Sequence, residues 1–110
     1  MKVIFFSEGQ IYGKVPRTFE NARTEFAWSI ALDADWSPIK DTPRGEKYDL
    51  GIVIIPKNNP QVDINHFKTF CDKVAVMQEG PHWYFQDYDL AKQLWYSSVL
   101  QEMDFLFVHN

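Results

Sequence analysis

Glu79 and His82 stand three residues apart in the run Val74-Ala-Val-Met-Gln-Glu-Gly-Pro-His-Trp-Tyr-Phe-Gln86. A carboxylate or an imidazole can take the proton from a hydroxyl nucleophile, and both residue types serve as general bases. His82 is the better candidate of the two, because its unperturbed pKa is nearest neutral. Trp83 and Tyr84 follow directly, with Phe85 and Tyr88 beyond them. Their faces could stack on a sugar or a base. A loop folded onto a sheet edge, or a dimer contact, would use the same rings. The plainer readings stay open as well, with Glu79 as a helix cap and His82 as a surface loop residue.

A second group lies near the N-terminus, where Ser7-Glu-Gly-Gln-Ile-Tyr-Gly-Lys14 sets Ser7, Glu8 and Lys14 around Gly9 and Gly13. Glycines let backbone amides approach a ligand, and they equally make a plain strand-to-helix turn. The spacing is neither GxGxxG nor that of a P-loop, so no nucleotide site follows from it. Lys57, Asn58, Gln78, Gly80, His109 and Asn110 come at or just after the ends of other apolar runs. His66 reads as a surface residue. Two Asp-x-Asp triplets, Asp33-Ala-Asp35 and Asp87-Tyr-Asp89, have a spacing that can bind a divalent ion bridging phosphates. Both fall at expected helix ends, where capping and the dipole favour Asp87 and Asp89. There is no Cys/His cluster for zinc, and neither a metal nor a cofactor is expected.

The elements that must position these groups alternate along the chain. Val3 to Phe6 is apolar on both faces, as a central parallel strand is. Pro16 suits a helix start, and Phe19, Ala22, Phe26 and Ile30 recur at helical spacing. They predict one helix over about Arg17 to Leu32, with Glu20, Arg23, Thr24 and Glu25 on the solvent face. A short strand around Trp36 to Ile39 is demoted to an edge by Pro38. Leu50 to Ile55 is the strongest strand signal, continuous and β-branched. Asp63 then caps a helix over Ile64 to Asp72, with Ile64, Phe67 and Cys71 on one face. Val74 to Met77 is the next strand, broken at Gly80-Pro81. Asp87 or Asp89 caps the last helix, whose expected apolar stripe is Ala91, Leu94, Trp95, Ser98, Val99 and Met103. Phe105 to Val108 closes the series as a strand.

The alternation predicts an α/β fold, a Rossmann-like three-layer sandwich with a mostly parallel sheet of four or five strands. The expected strand order is 3-2-1-4-5, with the short strand at an edge. Candidate residues at the carboxyl ends of such strands lie on the rim where ligands bind.

With 110 residues the chain fits one domain, 1–110. A 45% hydrophobic content predicts a packed core, and a net charge of −4 gives no electrostatic footprint for nucleic acid. The 16% aromatic content is high enough to leave rings near the surface, where they could mediate oligomerisation. Cys71 is the single cysteine, so no intrachain disulfide forms and a reducing, cytoplasmic setting is expected. No apolar run approaches the ~18 residues of a membrane helix.

The ordered set of short motifs resembles the N-terminal half of a GT-B-fold glycosyltransferase of the family 4 type. The opening strand and Gly-containing loop are Lys2 to Lys14, and the long helix is Arg17 to Leu32. Tyr48-Asp49 introduces the next strand, and Val74 to Glu79 matches a strand ending in a His-Asp-like pair. Met103 to Asn110 matches a later strand of the pattern "aDxvxvxS". The family commonly has His where this chain has Gln78, so the resemblance implies that His82 or Glu79 substitutes as the base. The resemblance further implies acceptor contacts from Ser7 to Lys14, Glu79 to Tyr84 and Asn110. The donor half of such enzymes, with its nucleotide-sugar site, has no counterpart here. The chain is thus expected to be a fragment, an excised domain or a split subunit, inactive alone.

The function expected from the resemblance is transfer of a sugar from a nucleotide-sugar donor to a hydroxyl acceptor, once this half is joined to a donor domain. The alternative is a stand-alone flavodoxin-like or receiver-like module that binds a ligand or partner without catalysis. No strand ends in a phosphorylatable Asp, and no Ser/Thr-rich phosphate loop follows Phe6.

Overall fold

The computed structural model describes residues 1–41, 46–55, 62–81 and 90–109, with side chains for all of these except 78–81, 95 and 108–109. The elements are β1 (Val3–Ser7), a 3-10 turn (Arg17–Phe19), α1 (Thr24–Ala31), β2 (Asp35–Pro38), β3 (Tyr48–Ile55), α2 (Ile64–Lys68), β4 (Cys71–Pro81), α3 (Leu90–Glu102) and β5 (Phe105–His109). The five strands form one sheet, every pair parallel, flanked by helices on both faces. This is the expected α/β Rossmann-like sandwich.

The strand order is β2-β1-β3-β4-β5, and not 3-2-1-4-5. The short strand β2 does lie at an edge, as expected. It has only four residues, Asp-Trp-Ser-Pro, and Pro38 has no N–H to give. It takes the edge beside β1, and β3 takes β1's other side. The outer edge of β2 is covered at one point by Gly13, whose N–H donates to the Trp36 carbonyl (3.0 Å) and whose carbonyl accepts from the Trp36 N–H (2.8 Å). Gly13 has φ of +70°, a conformation that favours glycine.

Alternation sends successive side chains of β1 to opposite faces. Ile4 and Phe6 join Val53, Ile55, Val74 and Val76 under α2 and α3, where Ile64, Phe67, Tyr96 and Val99 cover them. Val3 and Phe5 join Trp36, Ile52, Ile54, Ala75 and Met77, with Phe26 and Ile30 of α1 packed on them. Gly51 sits where β3 passes Cys71: a Cβ there would lie 2.7 Å from the Cys71 Sγ.

Four local expectations are corrected. The helix expected over Arg17 to Leu32 is a 3-10 turn followed by the shorter α1, because Arg23 is extended (φ −151°, ψ 152°). Phe19 still reaches Phe26 (ring centroids 6.0 Å apart), so the contact expected of the stripe is made from the turn. α2 ends at Lys68, and Cys71 is buried in β4 and not on a helix. Asp63 does cap α2, accepting from the Asn65 N–H at 3.1 Å. β4 runs on to Pro81, paired with β5 and with a register shift between Met77 and Pro81, because a partner strand satisfies backbone that was expected to be loop. The buried stripe of α3 is Tyr96 and Val99 with Leu100 and Met103 against the core, while Leu94 is 63% exposed. The side chain of Trp95 lies outside the described residues, as do Asp87 and Asp89.

Candidate functional site

The helices that follow β1 and β3 lie on opposite faces of the sheet. β1 leads to α1 on one face, and β3 leads to α2 on the other. In open α/β sheets this topological switch point is where ligands bind, beyond the carboxyl ends of the strands. A crevice of about 220 Å³ lies here. Ser7, Glu8, Gly9 and Ile11 line it from β1 and its loop, and Ile54 from the end of β3. Arg23, Glu25 and Phe26 come from the start of α1, and Trp36 from β2.

Glu25 is the least expected of these. It was placed on the solvent face of a helix, yet it is 4% exposed. A buried carboxylate must be paired, and the Arg23 Nε donates to its Oε2 at 2.8 Å. Its position in the first turn of α1 adds the favourable end of the helix dipole. Ser29, one turn on, is also buried and donates to the Phe26 carbonyl at 3.0 Å. Arg23 is half-exposed, so the pair runs from the crevice rim to its floor. Spacing gives no hint of this contact, because residues two apart do not face each other on a helix. It forms because Arg23 precedes α1 in extended backbone.

Trp36 also went unnoticed as a site residue. Its ring stacks on Phe5 (centroids 5.1 Å apart) and meets Phe26 at 5.3 Å. It is buried, and its Nε1 is the one buried side-chain nitrogen or oxygen among the described residues without a hydrogen-bond partner.

A wider groove of about 900 Å³ lies along β2, lined by Ile4, Tyr12, Asp35, Asp41, Glu46 and Tyr48 among others, and bordered like the crevice by Trp36. Several of its polar groups pair with one another. The Tyr48 hydroxyl lies 2.9 Å from both Asp35 Oδ2 and Glu46 Oε2, and its single proton serves the two carboxylates in turn. Burial, reinforced by those carboxylates, pushes the Tyr48 hydroxyl pKa well up. Lys2 pairs with Glu46 (2.9 Å), Tyr12 donates to Asp41, and Lys14 bridges Asp35 (3.1 Å) and Asp33 (3.3 Å). These are contacts of a structural clasp around the β2 edge.

The sequence candidates therefore divide. Ser7, Glu8 and Gly9 come together in the crevice. Gly13 instead braces β2 and borders the groove, and Lys14 is held by the two aspartates. Gln78, Glu79 and Gly80 have their backbone in β4, and their side chains lie outside the described residues. His82, Trp83, Tyr84 and Asn110 lie outside the described residues, as do Lys57 and Asn58. His66 is exposed on α2, edge-on to Phe67 and Phe70. Among the described residues no group of three or more His, Cys, Asp or Glu is placed to hold a metal ion, and no helix is long and apolar enough to cross a membrane. In comparisons with known proteins, no family model, no curated protein and no solved structure matches this chain.

Proposed function

We propose that this chain is a ligand-binding α/β module whose site is the crevice between the β1 loop and the start of α1. The observation that supports the reading is the coincidence of three features at the β1/β3 switch point: a cavity, the buried Glu25 paired with Arg23, and the glycine-containing loop. The strand order is that of flavodoxin-like folds, whose ligands sit at this same divide. The crevice is smaller than the ~300–1,000 Å³ of a drug-sized pocket, so it suits a ligand, or one group of a ligand, of fragment size. Titration of the isotope-labelled chain with a fragment library tests this. Binders should shift the amides of Ser7 to Ile11 and Arg23 to Phe26. Shifts confined to other surfaces would refute it.

A second reading keeps the resemblance to the acceptor-side half of a glycosyltransferase, with the crevice holding a hydroxyl acceptor. It is favoured by the fact that Ser7, Glu8 and Gly9, acceptor contacts under that resemblance, line the crevice. In this reading the nucleotide-sugar donor binds a separate domain, and Glu79 or His82 activates the acceptor. Incubating the 110-residue protein with common nucleotide sugars and acceptors should then give no transfer, whereas addition of a donor domain should restore it. Transfer by the chain alone would overturn the division of labour.

A further inference from the structure

The start of a helix beyond a β1 loop is a ready anion site, since its free N–H groups and dipole attract negative charge. Here that position is filled from within. Glu25 lies in the first turn of α1, and Arg23, the one guanidinium among the described residues lining the crevice, is paired with it at 2.8 Å. Glu8, exposed at the rim, adds a further negative charge. Among the described lining residues the two acidic side chains, Glu8 and Glu25, outnumber the single basic one, Arg23, which disfavours an anion.

The other polar feature is a donor. Trp36 is 3% exposed, and its Nε1–H has no acceptor among the described residues. β2 alternation puts this ring on the Phe5 face, the side of the sheet on which Phe26 and Ile54 line the crevice. A buried N–H without an acceptor is less stable than a satisfied one. A ligand that offers an acceptor makes up that difference on binding. Glu25, a carboxylate, is by contrast an acceptor only. Phe26, Trp36 and Ile54 supply apolar wall.

We infer that the crevice takes an uncharged ring that accepts a hydrogen bond from Trp36 Nε1–H and donates one to Glu25, and that it discriminates against phosphate. The inference rests on the binding-module reading above and goes beyond it by fixing the charge and the polarity of the ligand. Two sources share this chemistry, a neutral heterocycle with lactam N–H and C=O groups, and a neutral sugar ring.

The test uses the whole chain labelled with nitrogen-15, and follows the Trp36 indole N–H resonance, identified by its loss in Trp36→Phe. Three probes are titrated separately: uracil, methyl glucoside and inorganic phosphate. At least one neutral ring should move the Trp36 indole N–H and the Ser7 to Gly9 amides together and saturably, and which one does so identifies the source. Phosphate should move neither. Trp36→Phe keeps an aromatic ring against Phe5 and removes the donor, so it should weaken the neutral ligand roughly 2–10-fold, the weight of one neutral hydrogen bond. Its dispersed amide spectrum serves as the check that it folds. Saturable phosphate shifts in the crevice would overturn the inference and leave the binding reading standing. So would a neutral ring that binds the crevice equally well in wild type and Trp36→Phe. Absence of crevice shifts with all three probes would overturn the inference, and a failed fragment screen at the same amides would take the binding reading with it.

Discussion

Gly51→Ala should destabilise the fold by a collision that one further substitution relieves. The added Cβ would lie 2.7 Å from the Cys71 Sγ and 3.4 Å from both the Cys71 Cβ and the Phe6 Cε2. Real Cβ atoms do not approach a neighbour at 2.7 Å, so something must move. Neither neighbour moves cheaply. Cys71 is buried at the start of β4, and Phe6 is wedged between Phe67 and Phe70, with ring centroids 4.6 and 5.7 Å away. Overpacking of such a core costs typically ~1–3 kcal/mol. For a chain of this size that corresponds to a fall in Tm of roughly 4–8 °C per kcal/mol. Cys71→Ala removes the Sγ and with it the closest contact. In that background Gly51→Ala should cost much less, and the reduced freedom of the unfolded chain could make it favourable by about 0.4–1 kcal/mol. The cycle should therefore show a coupling of about 0.5–3 kcal/mol between the two sites, read from urea midpoints of the four proteins. Additive effects would refute the reasoning, since they would mean that the two strands do not pass at the described distance.

Three other outcomes are expected. Phe67→Ala should cost about 3–5 kcal/mol in urea titration, since the ring is buried against Phe6 and Phe70; a loss under about 1 kcal/mol would mean that α2 does not seal the sheet. Burial pushes the Asp35 carboxyl up, but the Tyr48 hydroxyl and the Lys14 ammonium outweigh it and hold its pKa below the ordinary value. Its contribution is thus present above the ordinary carboxylate pKa and lost as pH falls through the lowered one. Wild type and Asp35→Asn should differ in stability at neutral pH and converge in acid, and a constant difference across that range would contradict the assignment. Burial, with Asp72 nearby, pushes the Cys71 thiol up to about 12, so alkylation by iodoacetamide near neutral pH should proceed only as fast as the chain opens; rapid labelling of folded protein would place Cys71 at the surface.

The strands were legible because their signal is strong and local. Val3 to Phe6 and Leu50 to Ile55 are apolar at every position but Gly51, and both prove to be interior strands buried on both faces. Helix limits were less legible, because periodicity reports which residues meet the core and not the backbone that carries them. Phe19 belongs to the α1 packing surface and yet sits in a 3-10 turn. On α3, Val99 and Met103 of the expected stripe do meet the core, while Leu94 is exposed and Tyr96, which reads as ambiguous in sequence, is buried. Glu25 was hidden for a different reason. A glutamate at a helix start is usually solvated, and what buries this one is an arginine two residues earlier in non-helical backbone. Trp36 lay in a segment whose strand character was in question, so its place beneath a site could not be read.

The site moved because the strand order did. In a 3-2-1-4-5 order β1 lies beside β4, and the divide between their loops would set the carboxyl end of β4, with Glu79 and the residues after it, opposite Ser7 and Glu8. In the observed order β3 stands between them. β1 pairs with β3 from Val3↔Leu50 to Phe6↔Val53, so the side chain that faces the β1 loop across the divide is Ile54 of β3. The β4 backbone is meanwhile occupied on both sides, by β3 as far as Gln78 and by β5 at Pro81. The order agrees with the character of β2. A four-residue strand ending in Pro38 suits an edge, and β3 pairs with β1 on its free side, with β4 beyond β3. The same proline that marks β2 as an edge strand therefore accords with the divide between β1 and β3. That divide brings Ser7 and Glu8 to the start of α1, and Arg23 and Glu25 with them.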